Sequence, residues 1–464
     1  MNASTIQGNQ NVVIQSVNDS TLTINVNGEA RQIQNEFDEI KKLIQNLKIQ
    51  NIQYADKIYN IEHINEANFG FITGKKVVYN QLLTKQLIEA AADYSQPISN
   101  WLALASKQAV NWETQARISD KAKEIIAFSF AGLIGVQFSK LMAIGKENNS
   151  EIKPQKYLGK CMDLVKYGLD LLNFALVSQL WEIQSSQKHP LNIEQQNVLE
   201  HFFTCGFELS IAQRLNLFHT FLQIFETQEI TLPLAELEGF LQKHLNAKSP
   251  FRNAILAMQK LHERIENGED TPLDCAEAET HLAVMYAPLA FLVRYKMASI
   301  KFIHYQQTKQ SEPRYLHRYT ALGIDSKANI DAEKIYFTSE TAETDSVWLY
   351  KGNSYKNGIN LMPFALDFNA MTFEHGARIC FFTAQNTTDK SFEYVFLDDQ
   401  SSKTIELQAV SEDMKQSSEW LMENKNRILL NFNTVIELLK KVQETFLTDV
   451  PTDFDIDFDN PINP

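Results

Sequence analysis

The chain has 464 residues, 44% hydrophobic and 22% charged, with 43 Lys and Arg against 57 Asp and Glu for a formal net charge of −14. That length accommodates two or three domains with a sizeable core, and the acidic balance argues against nucleic acid as a partner, because phosphate contacts supply most non-specific affinity. Sparse Gly (16) and Pro (12) favour long helices over an all-β or low-complexity chain.

The four cysteines, Cys161, Cys205, Cys275 and Cys380, include no CxxC pair and read as reduced, buried thiols. The opening MNASTIQGNQ has neither a charged n-region nor an apolar h-region. A secretory signal is therefore not expected, and a cytoplasmic location is.

Residues 8–17 (GNQNVVIQSV) and 20–28 (STLTINVNG) read as two short strands around Asn18 and Asp19. Leu22, Ile24 and Val26 alternate with polar residues, the pattern of a half-buried strand. In residues 35–50, Phe37, Ile40, Ile44 and Leu47 follow at spacings of three, four and three, an a/d seam of about two heptads. A two-strand ribbon and a two-heptad helix are each too small to stand alone. Their apolar residues, Val13, Ile14, Leu22, Ile24, Val26, Phe37, Ile40, Ile44 and Leu47, are thus the expected assembly interface.

This stretch, running on through YADKIYN at 54–60, resembles the N-terminal recruitment modules, of effector-associated type, on bacterial conflict-system proteins. The resemblance covers about the first 60 residues. It implies a role in bringing proteins together by like-with-like contact in an anti-phage defence pathway.

Residues 53–304 read as nearly all helix, with no fixed repeat period, so an irregular bundle is expected. Ser119 and Asp120 are read as the cap of a helix over 121–145. Residues 125–144 (IIAFSFAGLIGVQFSKLMAI) form the most apolar run; its mostly apolar part is about 12 residues, short of the roughly 20 a membrane span needs. A central core helix is expected there, with a membrane-disrupting effector helix as the alternative. The run 281–303 is also apolar, but Pro288, Arg294 and Lys296 argue against a span.

From about residue 314 to 410 the pattern changes to short aromatic and β-branched segments at 334–338, 347–350, 359–368, 378–383, 392–397 and 404–407. Turn clusters separate them, as in a small antiparallel β domain. One long helix, about 412–447, precedes an acidic tail.

The chemical motifs are weak. GFITGKK at 70–76 has three residues between its glycines and no Ser or Thr after the lysine, so it is not a phosphate loop. His201 and Cys205 share a helix face but lack two further ligands for zinc. His375 lies near Cys380, but Cys380 falls inside an apolar strand, where a nucleophile is out of place. Glu374, His375 and Arg378 read as loop surface. No catalytic, metal or cofactor site is expected, although a site assembled from distant residues would be invisible at this level.

In the tail, Asp453, Asp455, Asp457 and Asp459 alternate with Phe454, Ile456 and Phe458. The positions of Gly and Glu in a calcium loop are taken by Phe458 and Pro464, which excludes that cage. Strict alternation instead suits a segment that adds to a sheet edge, apolar groups on one side and carboxylates on the other.

The expected architecture is α+β, predominantly α. It comprises a β-hairpin and short coiled-coil helix (1–50), a helical domain (51–310), a small antiparallel β domain (311–410), a long helix (411–447) and an acidic tail (448–464). The expected function is a non-enzymatic, oligomerising adaptor or sensor. Its partners would be proteins, including copies of itself, engaged through residues 1–50 and 448–464.

Overall fold

The computed structural model describes residues 13–18, 21–25, 79–108, 112–147, 153–187, 189–205, 208–267, 272–323, 333–338, 342–352, 358–385, 391–397, 404–406 and 419–447. The fold is mainly helical with small antiparallel sheets, as the sequence implies. Residues 1–64 and 65–464 form two compact units.

In the first unit, β1 (Val13–Asn18) pairs antiparallel with β2 (Thr21–Asn25). Ile14 stands opposite Ile24 and Val17 opposite Leu22, with a register shift between Ile14 and Ser16. Of the expected interface, Val26, Phe37, Ile40, Ile44 and Leu47 lie outside the described residues.

The second unit begins with α1 (Gln81–Ala92), α2 (Gln96–Gln108), α3 (Trp112–Ser129) and α4 (Gly132–Lys146). Its axis is α5 (Lys153–Ser186), buried from Leu164 through Leu180 on nearly every side. Around it pack α6 (Ile193–Thr204), α7 (Ile211–Thr227), α8 (Phe240–His244), α9 (Pro250–Glu266) and α10 (Pro272–Tyr286). Their starts follow from local chemistry. Asn192 with Gln195, and Ser210 with Gln213, form capping boxes at α6 and α7. Pro250 opens α9 behind the capping hydroxyl of Ser249.

After a 3₁₀ turn at Ala290–Arg294 the chain enters β3 (Tyr295–Gln306), β4 (Arg314–Leu322), β5 (Glu333–Thr338), β6 (Ser346–Lys351) and β7 (Ile359–Asn360). These form an antiparallel sheet in the order β5-β4-β3-β6-β7. β8 (Ala365–Asp367), β9 (Ile379–Gln385), β10 (Phe392–Phe396) and β11 (Thr404–Glu406) form a second, in the order β11-β10-β9-β8, with the one-turn α11 (Phe368–Met371) between β8 and β9. The final helix is α12 (Glu419–Phe446).

Helices and sheets share one core. Phe174 of α5 stacks on Phe364 at 5.6 Å and meets Phe381 edge-on at 5.1 Å, while Phe203 of α6 stacks on Phe446 of α12 at 5.9 Å. Aromatic contacts of this kind add to area burial. They bind β9 and the approach to β8 to the axial helix, and the last helix to α6.

Three expectations are corrected. The run 125–144 is two helices, α3 and α4, meeting at a corner at Phe130 and Ala131. Glycine makes the corner: a Cβ on Gly135 would lie 2.2 Å from the Ala127 carbonyl oxygen, and one on Gly132 2.9 Å from Met297 Cβ. α3 and α4 pack on each other and α4 also on β3 and β4, and no helix among the described residues is long and apolar enough to cross a membrane. Second, Ser119 and Asp120 lie inside α3 and cap nothing. Third, the helical reading of 53–304 fails at its end: α10 stops at Tyr286 and the apolar run resumes as β3. An apolar run surrounded by core on both sides shows no periodicity by which strand and helix could be told apart.

Candidate functional site

The unusual chemistry of the second unit falls into two kinds, polar joints inside the core and one exposed ribbon.

In the first joint, Glu279 of α10 accepts hydrogen bonds at Oε1 from the Asn80 backbone N–H at 2.8 Å and from the Tyr157 hydroxyl at 2.6 Å. The same hydroxyl lies 2.5 Å from Asn80 Oδ1. One phenolic proton cannot serve two acceptors. Turning the Asn80 amide so that Nδ2, otherwise without a partner, faces the hydroxyl resolves the conflict, with Tyr157 donating to Glu279. Burial pushes the Glu279 carboxyl up to about 7, against the lowering effect of its hydrogen bonds. The joint ties the entry of α1 to α5 and α10.

In the second, Arg214 of α7 donates from Nε to Asp170 at 2.8 Å and from Nη2 to Glu208 at 3.1 Å. Lys166 pairs with Glu208 at 3.2 Å. Burial raises Asp170 despite Arg214. At Glu208 burial works upward too, but Arg214 and Lys166 together hold it below the usual range.

In the third, buried Asp367 ends β8. Its Oδ2 accepts from Ser299 Oγ at 2.6 Å, and its Oδ1 from the backbone N–H groups of Asn369 at 3.1 Å and Arg378 at 2.9 Å. It caps α11 and pins β3 to the second sheet. Asp345 is pushed up to about 7 by burial and by the neighbouring Asp367. All three joints are occupied in holding elements together, and no group of three or more His, Cys, Asp or Glu among the described residues is placed to hold a metal ion.

The residues singled out in the sequence occupy structural positions. His201, half-buried on α6, lies 3.3 Å from Gln213 through Nε2 and Nε2, and the Cys205 backbone N–H caps α6 on the His201 carbonyl. Burial lowers the His201 imidazole. Cys380 is buried on β9 against the Leu366 carbonyl, whereas His375 is exposed in the preceding loop. Arg378 stacks on the Phe396 ring at 3.6 Å and so is no free surface charge. The 70–76 loop and the tail residues Asp453, Phe454, Asp455, Ile456, Asp457 and Phe458 lie outside the described residues.

The exposed feature is the outer half of the β3–β4 hairpin. β6 covers β3 only from Tyr295 to Ile300, because the chain turns away before Ser346 at Asp345, whose φ of 55° is left-handed. Beyond Ile300, β3 shifts register and continues for six residues paired with β4 alone. A bulge of this kind re-aims side chains and bends the strand. Lys301 anchors the base, donating from Nζ to the carbonyls of Glu374 at 2.8 Å and of Gly376. At the tip, Ser311 Oγ accepts from the Thr308 N–H at 3.0 Å, and the Ser311 N–H returns to the Thr308 carbonyl at 3.1 Å. The ribbon is held at both ends.

Its side chains are not covered to the same degree. Phe302 is 43% and Tyr305 61% exposed. Phe302 meets His304 edge-on at 4.2 Å, and Tyr305 meets Tyr315 of β4 at 5.8 Å. Residues 301–318 carry four Lys and Arg against Glu312 alone, on a chain of net charge −14. Exposed aromatics interleaved with cations on a pre-ordered, half-open sheet edge are suited to taking an extended, acidic, apolar-studded peptide.

The sequence reading missed this surface because it took β3 for helix. The alternation Ala298, Ile300, Ile303, Tyr305 was the available signal, broken by the extra residue at the bulge.

No protein-family model, curated protein or solved structure matches this chain.

Proposed function

We propose that the chain is a non-enzymatic adaptor that self-assembles through its N-terminal unit and offers the β3–β4 ribbon to a protein partner. The observation that carries this reading is the separate compactness of residues 1–64 around a two-stranded sheet. A two-stranded sheet has too little surface to be stable by itself in water. Other copies of the same unit are the natural cover, as the resemblance of its first 60 residues to conflict-system recruitment modules implies. The setting would then be a bacterial defence pathway in the cytoplasm. In the alternative reading, a membrane-disrupting effector, 125–144 would have to leave the packed corner of two helices that it forms here.

Light scattering on the full chain and on a chain lacking residues 1–64 tests the proposal. Assembly of the full chain and a monomeric mass for the shortened one are expected. Equal subunit number in both would overturn it.

A further inference from the structure

We propose that the acidic C-terminal segment 453–459 of this chain docks as an added strand on the open edge of β3 at residues 301–306, occupying the ribbon until a partner displaces it. The inference rests on the reading of the ribbon as a binding surface and is independent of assembly through the N-terminal unit.

Three observations converge on it. The first is shape. β3 runs six residues beyond its last pair with β6, and no strand among the described residues pairs with that side of it. The alternating tail motif is seven residues long and bracketed by Pro451 and Pro461. Proline cannot donate to a ladder, so the two prolines bound one strand of matching length.

The second is charge. Residues 448–464 carry five Asp and no Lys or Arg, whereas the ribbon is locally basic, with Lys309 and Arg314 exposed at its tip. These charges lie within about a Debye length of an added strand.

The third is apolar matching. Phe454, Ile456 and Phe458 fall on one side of an extended chain. Phe302 stands on one face of β3 and Tyr305 on the other, both exposed, so the apolar side of an added strand covers one ring and leaves the other open.

Hydrogen exchange on the full chain, with a full-length Phe454→Ser/Phe458→Ser chain as the undocked form, tests the proposal. The backbone amides among residues 302–306 that point away from β4 should exchange at least 10-fold faster in the double variant. A synthetic peptide of residues 448–464, added to the double variant, should restore protection. Lys309→Glu/Arg314→Glu in the full chain should abolish protection while leaving the thermal midpoint unchanged.

Equal exchange in the wild-type and Phe454→Ser/Phe458→Ser chains would overturn docking. So would failure of the peptide to protect, or a single-stranded oligonucleotide that binds the ribbon equally in both chains. Protection that vanishes on dilution would place a second copy's tail on the edge and overturn docking within one chain. None of these outcomes depends on the subunit number, so failure of assembly and failure of docking are separable.

Discussion

The core joints and the β3–β4 ribbon use the same kinds of side chain to opposite ends. At Glu279, Arg214 and Asp367, charged and polar groups are buried and committed to partners that fix one helix or strand against another. On the ribbon, Phe302, Tyr305 and Arg314 stand in solvent on a backbone held rigid from below and at the tip. The contrast teaches that a perturbed carboxyl is not by itself a sign of chemistry. Structural ion-pair networks shift protonation as strongly as active sites do. If the contrast is sound, changes in the joints alter stability and changes on the ribbon alter binding.

The largest effect is expected at Arg214. Replacing Arg214 with Ala leaves Asp170 buried without its charged partner, and removing one member of a buried pair costs about 3–5 kcal/mol. Urea unfolding of the Arg214→Ala chain checks this. A loss near zero would mean that Asp170 reaches solvent, and the contrast would fail at that joint.

Glu279 gives an effect of about 3 kcal/mol whose signature is pH. Its carboxyl moves from an ordinary 4.5 in the unfolded chain to about 7 in the folded one. Below pH 4.5 both states hold the proton, and this group favours neither direction of change. Between pH 4.5 and 7 the unfolded state releases the proton while the folded state keeps it. Stability from this group therefore falls as pH rises, by about 1.4 kcal/mol per unit. The stability of the wild-type chain minus that of a Glu279→Gln chain should drop by about 3 kcal/mol across that window. Parallel pH curves for the two chains would show the carboxyl already ionised in the fold.

Much of this architecture is legible in the sequence. The apolar spacing of 158–180 marks the axial helix, and the capping pairs Asn192/Gln195 and Ser210/Gln213 are local patterns. The strands β5, β6, β9 and β10 stand out between turn clusters. The joints do not stand out, because their members meet only in space: Asn80 and Tyr157 lie 199 and 122 residues from Glu279. Nor does the α3–α4 corner, where both flanking segments are apolar and only the close approach at Gly135 reveals the break. The ribbon was hidden for a third reason. Its seven-residue connection lacks the Asn-Gly or Asp-Gly signal of a tight hairpin, and the bulge after Ile300 interrupts the alternation.

Ser299 lies at the boundary of the two regions, on the covered half of the strand whose other half is the ribbon. Its hydroxyl supplies one of the hydrogen bonds that Asp367 accepts. The Ser299→Ala chain should lose about 2 kcal/mol, the scale of a hydrogen bond to a charged group. The same change should leave the exposed half able to bind. A loss of peptide binding without a loss of stability would mean that Ser299 acts in the site and not in the fold.

The smallest effect on stability, and the one that sharpens the contrast most, is expected at Phe302 and Tyr305. Both rings are substantially exposed, and their neighbours are side chains of the ribbon itself. Phe302→Ala or Tyr305→Ala should therefore shift unfolding free energy by no more than about 0.5 kcal/mol, as for surface positions in general. Aromatic anchors at an interface cost far more when truncated, typically above 1 kcal/mol and often 2. Affinity for a labelled 448–464 peptide, measured in a chain carrying Phe454→Ser/Phe458→Ser, should thus fall about 5- to 30-fold in the variant whose ring lies on the tail's apolar side, and little in the other. Unchanged affinity with unchanged stability would leave the rings without a role. Unchanged affinity with a stability loss near that of Ser299→Ala would make the ribbon a fourth joint, and the outer half of β3 would belong to the fold after all.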